Sequence, residues 1–222
     1  MRSPQFGPRL FRDRVDAGRR LAALLERFRD EAPIVLALPR GGVVVGYEVA
    51  HALNAPLDVI VARKLGAPGH RELGIGAVAP GVRVLDDETV SALGVRAEAI
   101  EAIAAEETAE MARRSRRFRD ERPPPALADR TVIVVDDGLA TGVTARAAVR
   151  SIRRERPRRV VLAVPVCPAE TAALLRAEVD DLVCVAQPPD FIAVGHWYTN
   201  FDQTTDEEVI ALLQQARLRA PG

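Results

Sequence analysis

The run Thr131-Val-Ile-Val-Val-Asp-Asp-Gly-Leu-Ala-Thr-Gly-Val-Thr144 concentrates the chemistry of this chain. Its β-branched start predicts a buried strand at residues 131–135 that delivers two adjacent carboxylates, Asp136 and Asp137, to its carboxyl end. Small residues follow, and Gly138, Ala140 and Gly142 let backbone approach a ligand closely. A helix is predicted from Val143. The amides of residues 140–144 and the hydroxyls of Thr141 and Thr144 then converge at a helix N-terminus, a place suited to a phosphate monoester. The acids cannot grip that phosphate, because like charges repel. They can accept hydrogen bonds from vicinal hydroxyls nearby, or hold a hydrated Mg²⁺. An anion nest beside a diol acceptor describes a sugar phosphate. The plainer alternative, an acidic turn that only caps the next helix, needs one Asp rather than two.

Two nucleotide-binding patterns are excluded. A Walker A loop requires Lys before its Ser/Thr, where Val143 stands. Arg40-Gly-Gly-Val-Val-Val-Gly46 has glycines after a predicted strand, but not at dinucleotide spacing. Of the 31 basic residues, 30 are arginine and one is Lys64. A lone lysine in so arginine-biased a chain points to a place that needs a compact ammonium on a flexible stem rather than a planar fork.

The elements that must hold these residues follow from periodicity. Ala17, Leu21, Leu24, Leu25 and Phe28 predict an amphipathic helix over residues 13–29. Strands are expected at 34–38 and 57–62, flanking a helix at 43–53. Residues 63–76, with four glycines and a proline, read as a long mobile loop. Short strands at 75–79 and 82–85 and a long helix at 97–118 come next. Thereafter strand 131–135, helix 143–154, strand 159–166, helix 169–177 and strand 182–185 alternate as a parallel sheet with crossover helices. A polar–aromatic loop at 187–203 leads to a last helix, whose Thr205-Asp-Glu-Glu208 start has capping-box spacing. The fold class is therefore α/β: a Rossmann-like parallel sheet flanked by helices, with a small C-terminal hood. At 222 residues the expectation is a single domain, with its core at about 10–186 and the hood and final helix at about 187–217.

Composition closes off other classes. The 31 basic and 31 acidic side chains cancel, which argues against a nucleic-acid protein held by bulk charge. No apolar stretch approaches a membrane span. Residues 1–30 lack the apolar segment of a secretory signal. Cys167 and Cys184 sit in apolar contexts and read as buried, reduced thiols of a cytoplasmic protein. The arginine blocks at 113–119 and 153–159 read as solvated helix ends.

The run Val-Val-Asp-Asp-Gly-Leu-Ala-Thr-Gly-Val-Thr resembles the phosphoribosyl-diphosphate signature of type I phosphoribosyltransferases, and the wider likeness covers roughly residues 10–215. The resemblance implies a transfer of 5-phosphoribosyl from phosphoribosyl diphosphate to a nitrogenous base or similar acceptor, with Mg²⁺ and release of diphosphate. It implies that Asp136 and Asp137 bind the ribose hydroxyls, and the metal through water. Gly138 and residues 140–144 (Ala140, Thr141, Gly142, Val143, Thr144) would take the 5-phosphate. Pro39-Arg40-Gly41-Gly42 matches the pyrophosphate loop and Arg63-Lys64 the basic pair after the second strand, so Arg40, Gly41, Arg63 and Lys64 become diphosphate contacts. Arg40, Lys64, Asp136 and Asp137 are the residues expected to carry catalysis. Residues 66–74 match a flexible loop that closes over the reacting centre, with His70, Arg71 and Glu72 as further contributors. A homodimer is left open.

Residues 189–195 look like the stretch of hypoxanthine-type enzymes whose aromatic residue stacks on the base, which makes Phe191 the expected stacking face and Trp197 a neighbour in acceptor binding. Four of the chain's nine aromatics (Phe191, Trp197, Tyr198, Phe201) fall in this stretch, so a small satellite core under the loop is an equal reading. Ala140 stands where 6-oxopurine enzymes carry an acidic residue, and no lysine lies between Asp180 and Phe191. The acceptor is therefore left unassigned. The rival from another class is a regulatory module that senses phosphoribosyl diphosphate without turnover. The basic pair at 63–64 favours catalysis over it.

Overall fold

The computed structural model describes residues 9–219, apart from the side chains of Arg71 and Glu72. Helix α1 (Arg14–Leu25) starts where the Asp13 side chain accepts from the amide of Asp16, and it runs into a short 3₁₀ turn, Glu26–Glu31. Then come β1 (Ile34–Ala37), α2 (Gly41–Leu53) and β2 (Leu57–Val59). An antiparallel unit follows, made of β3 (Arg63–Ala67), β4 (His70–Ala79) and β5 (Val82–Leu85). Helices α3 (Asp87–Ala92) and α4 (Ala97–Arg119) lead back to the main sheet. Its remaining elements are β6 (Thr131–Val135), α5 (Val143–Arg154), β7 (Arg159–Val166), α6 (Ala169–Arg176), β8 (Asp181–Ala186) and the closing α7 (Asp206–Arg219).

The main sheet is parallel, in the order β2-β1-β6-β7-β8. Its strands are apolar on both faces because helices cover both. Val35, Ala37, Ile133, Val135, Val161 and Ala163 face α1, α2 and α7, while Leu36, Val132, Val134, Leu162 and Val164 face α5 and α6. Strand order reverses between β1 and β6, and the carboxyl ends of such a pair are where open α/β sheets leave a crevice for ligands. Register places Ala37 beside Val135, so the turns after these two strands lie side by side.

The expected long loop at 63–76 is instead a hairpin. Pro68 and Gly69 make its turn, with Gly69 at φ +74° as the third position of a type II turn requires. Leu65, Ala67, Ile75 and Val78 pack on Ile100 and Ala104 of α4. That packing outweighs the glycines, which sit at the turn and at the register shifts between Leu65 and Ala67. Helix α3, absent from the periodicity reading, forms because Asp86 caps it through the amide of Thr89. The capping box at the start of α7 is present: the Thr205 amide donates to Glu208 Oε2 at 2.7 Å, and the Glu208 amide to Thr205 Oγ1 at 3.1 Å. Cys167 is buried and Cys184 half-buried; they form no disulfide, and the Cys167 thiol donates to Cys184 Sγ at 3.4 Å. Among the described residues no helix is long and apolar enough to cross a membrane.

Candidate functional site

The turn after β6 is built around two glycines. Gly138 lies beneath Val194 of the hood, and a side chain there would meet Val194 Cγ1 at 2.5 Å. Gly142, at φ +70°, ends the turn against Leu175 and Thr171 of α6, and its carbonyl accepts the Arg146 amide in the first turn of α5. Between them Leu139 is pinned by its amide to the Val166 carbonyl at 2.9 Å, and the Ala140 carbonyl accepts Thr171 Oγ1 at 2.6 Å. Ala140 and Thr141 are exposed and Val143 and Thr144 half-buried. Among the described residues no acceptor takes the amides of Ala140, Thr141, Gly142, Val143 or Thr144. These donors, at the positive end of α5, remain for an anion.

The turn after β1 lies directly over the acids. A side-chain carbon on Gly42 would come within 2.9 Å of Asp136 Cα, and one on Gly41 within 1.9 Å of Asp137 Oδ2. The amides of Arg40, Gly41 and Gly42 open α2 with no acceptor among the described residues. The Pro39–Arg40 peptide is cis. The Arg40 guanidinium leans towards the start of α7, 3.8 Å from Asp206 Oδ1.

Asp136 and Asp137 do not both face an open groove, as the sugar reading expected. Asp136 Oδ1 accepts the Asp137 amide at 2.8 Å. Asp137 Oδ2 accepts Arg14 Nε at 2.7 Å, in an ion pair whose side chains are 12% and 16% exposed. The Asp137 carbonyl accepts the Tyr198 hydroxyl at 2.5 Å. Burial and the neighbouring Asp137 charge push the Asp136 carboxyl well above the usual range. Burial raises Asp137 too, and Arg14 opposes that rise. The pair therefore holds a proton more readily than two free carboxylates would.

The basic pair splits. Arg63 points to α4, where its Nε donates to Glu107 Oε2 at 2.7 Å, and it is not brought to the cradle. Its side chain shares the hairpin face of Leu65, which packs on that helix. Lys64 takes the other face. Its cross-strand partner Ala77 clusters with Ala147 and Val143 of α5, and its exposed stem crosses Gly74. The strand position of Lys64 thus faces α5, while its long side chain also lines a groove with Arg63 and with Ile103 and Glu106 of α4. The side chains of Arg71 and Glu72 lie outside the described ones, and His70 is exposed at the hairpin turn.

In the hood Phe191 is half-buried against the satellite core, its ring centre 6.4 Å from that of Trp197, and Ile192 beside it is 62% exposed. Trp197 is not available as a stacking face. It is 7% exposed in a satellite core with Phe11, Ala17, Val166 and Tyr198, because Phe11 pairs with Tyr198 as a parallel bridge and draws the segment inward. Arg14 is the residue that sequence reasoning missed. It lies 123 positions from Asp137, and no local spacing marks it.

A family model described as Phosphoribosyl transferase domain matches residues 12–199. Two curated proteins of Mycobacterium tuberculosis are similar to the chain: "Putative phosphoribosyl transferase Rv0571c" of strain ATCC 25618 / H37Rv and "Putative phosphoribosyl transferase MT0597" of strain CDC 1551 / Oshkosh. Each is 47% identical over 209 residues, which cover 94% of this chain. The chain spans about half the length of these relatives, 47% of each. The crystal structure of TT1426 from Thermus thermophilus is 43% identical with a TM-score of 0.77, over 92% of this chain and 98% of that one.

Proposed function

The chain belongs to the phosphoribosyl transferase domain family, and from that premise we propose that it transfers 5-phosphoribosyl from phosphoribosyl diphosphate to a nitrogenous base or similar acceptor. The observation that carries this reading is the pair of turns at the sheet's reversal point. One offers the free amides of Ala140–Thr144 beside two acids, and the other lays the free amides of Arg40–Gly42 against the same acids. The distance from a sugar's 5-phosphate to its anomeric diphosphate is bridged by the ribose ring, and the acids adjoin both turns, preceding one in the chain and packing under the other.

In the reaction the bond from the anomeric carbon to diphosphate breaks, and the electron pair leaves with the diphosphate. A nitrogen of the acceptor forms the new bond from the opposite face while positive charge builds on the ribose. The chain's part is positioning and charge. Residues 140–144 anchor the phosphate, Asp136 and Asp137 orient the diol, and Arg40, the amides of its turn and Lys64 neutralise the departing diphosphate. Phe191 offers the acceptor a stacking surface. Two carboxylates suit a Mg²⁺ ion that takes its other ligands from diphosphate and water. Asp136 and Asp137 would hold it through water, and when bound it would supply charge to the leaving group. Among the described residues no set of three or more His, Cys, Asp or Glu side chains is arranged for a metal, so such an ion depends on the substrate for its remaining ligands.

The test is to incubate the chain with phosphoribosyl diphosphate, Mg²⁺ and a panel of nitrogenous bases and follow diphosphate release. Base-dependent release that disappears in Asp137→Asn supports the reading. Binding of phosphoribosyl diphosphate unaltered by Asp137→Asn rejects the diol assignment.

A further inference from the structure

Resting on this phosphoribosyl reading, we propose that Arg14 is a positioning residue for the diol-binding acids: it fixes which carboxylate oxygens remain for the sugar hydroxyls and ties them to the hood. Three anchors hold its guanidinium in one place. Nε donates to Asp137 Oδ2 at 2.7 Å, Nη1 donates to the Asp202 carbonyl at 2.7 Å, and the group lies 3.8 Å from the centre of the Phe201 ring. The backbone beneath it is fixed as well, because Arg14 is the first residue of α1 and Asp13 caps that helix. A planar fork can meet a carboxylate, a carbonyl and an aromatic face together; an ammonium cannot.

The consequence is a count of oxygens. Asp136 spends Oδ1 on the Asp137 amide and Asp137 spends Oδ2 on Arg14. Each acid keeps one oxygen outside these bonds, on two adjacent residues. Two neighbouring oxygens suit two vicinal hydroxyls: the ionised acid accepts a hydroxyl hydrogen, and an acid that keeps its proton donates it to a hydroxyl oxygen. Without Arg14, the Asp137 carboxyl can rotate and the pairing is lost. Gly41 points the same way, since its missing side chain leaves the room that Arg14 Nε and Asp137 Oδ2 occupy. The comparably buried pair of Arg119 and Asp58, in which Arg119 also bonds the Val59 carbonyl, joins α4 to β2 and touches none of these groups. It serves as a control for a purely structural ion pair.

The experiment measures calorimetric affinity of the full chain for ribose 5-phosphate and for 2-deoxyribose 5-phosphate, with folding of each variant checked by circular dichroism. The wild type should prefer the ribose compound about tenfold or more, as a hydrogen bond to a charged acceptor implies. In Arg14→Ala the preference should fall to about twofold or less, with deoxyribose 5-phosphate binding little changed, because the phosphate donors are untouched. Arg14→Lys should keep an intermediate preference of about threefold, and Arg119→Ala the full one. A preference retained in Arg14→Ala overturns the proposal while leaving the phosphoribosyl reading intact. A wild type that binds neither compound overturns that reading, and the proposal with it. Should Arg14→Ala not fold, Arg14→Lys decides: a reduced preference supports the proposal and the full wild-type preference overturns it.

Discussion

Replacing Gly41 by alanine puts a methyl group where the structure has a carboxylate. The new carbon would lie 1.9 Å from Asp137 Oδ2 and 2.6 Å from Arg14 Nε, whereas ordinary contact begins near 3.4 Å. The turn or the acid therefore has to give by about 1.5 Å, the shortfall between those two distances. A flexible side chain could swing aside at little cost. Asp137 is short, and its carboxylate is held by Arg14 and its carbonyl by Tyr198. Overpacking of this kind costs about 1–3 kcal/mol of stability. A displacement of about 1 Å at a reacting centre costs on the order of 100-fold in rate. Gly69→Ala is the matched control, because nothing lies within 4 Å of its added carbon and only the positive φ of the turn resists. It should cost about 1 kcal/mol and leave sugar-phosphate affinity unchanged. Denaturant unfolding reads the first effect and the rate of diphosphate release the second, with calorimetric ribose 5-phosphate affinity as the readout for the control. If Gly41→Ala matches the wild type in both, the contact between the two turns is not what shapes the site.

Lys64→Ala should slow diphosphate release more than it weakens ribose 5-phosphate binding, and equal losses in kinetic and calorimetric assays would place the lysine elsewhere. Asp136→Asn should stabilise the fold at neutral pH. The Asp136 carboxyl is raised above its unfolded value, so the folded chain keeps a proton that the unfolded chain loses. Wild-type stability therefore declines as pH climbs from about 4 through the folded value, by about 1.4 kcal/mol per unit of the rise. Denaturation midpoints across that range should show the decline in the wild type and a flatter profile in Asp136→Asn. Tyr198→Phe leaves the Asp137 carbonyl without its 2.5 Å donor and should cost about 1–2 kcal/mol in unfolding free energy.

What could be read from sequence was what local signals carry. The apolar runs of β6 and β7, the helix starting at Val143 and the Thr205–Glu208 cap each depend on residues within a few positions of one another, and all are present. The cradle was legible for the same reason, since its strand, its small-residue turn and its helix are contiguous. Residues 63–76 were not, because Gly66, Gly69 and Gly74 mark a bulge, a turn and a close crossing in a hairpin whose stability comes from α4, some 30 residues on. The splitting of Arg63 from Lys64 follows from strand alternation once β3 is known to be a strand. Trp197 turned inward because of Phe11, and Asp137 was partnered by Arg14. Both depend on the start of the chain returning to the hood across nearly its whole length, a contact that no periodicity announces.

The decisive measurement is where a sugar's phosphate sits. A crystal structure of the chain with ribose 5-phosphate should show the phosphate oxygens on the amides of Ala140–Thr144 and the ring hydroxyls on Asp136 and Asp137, with Arg14 still on Asp137. A phosphate bound away from that turn, or a ring whose hydroxyls leave both acids untouched, would contradict the assignment.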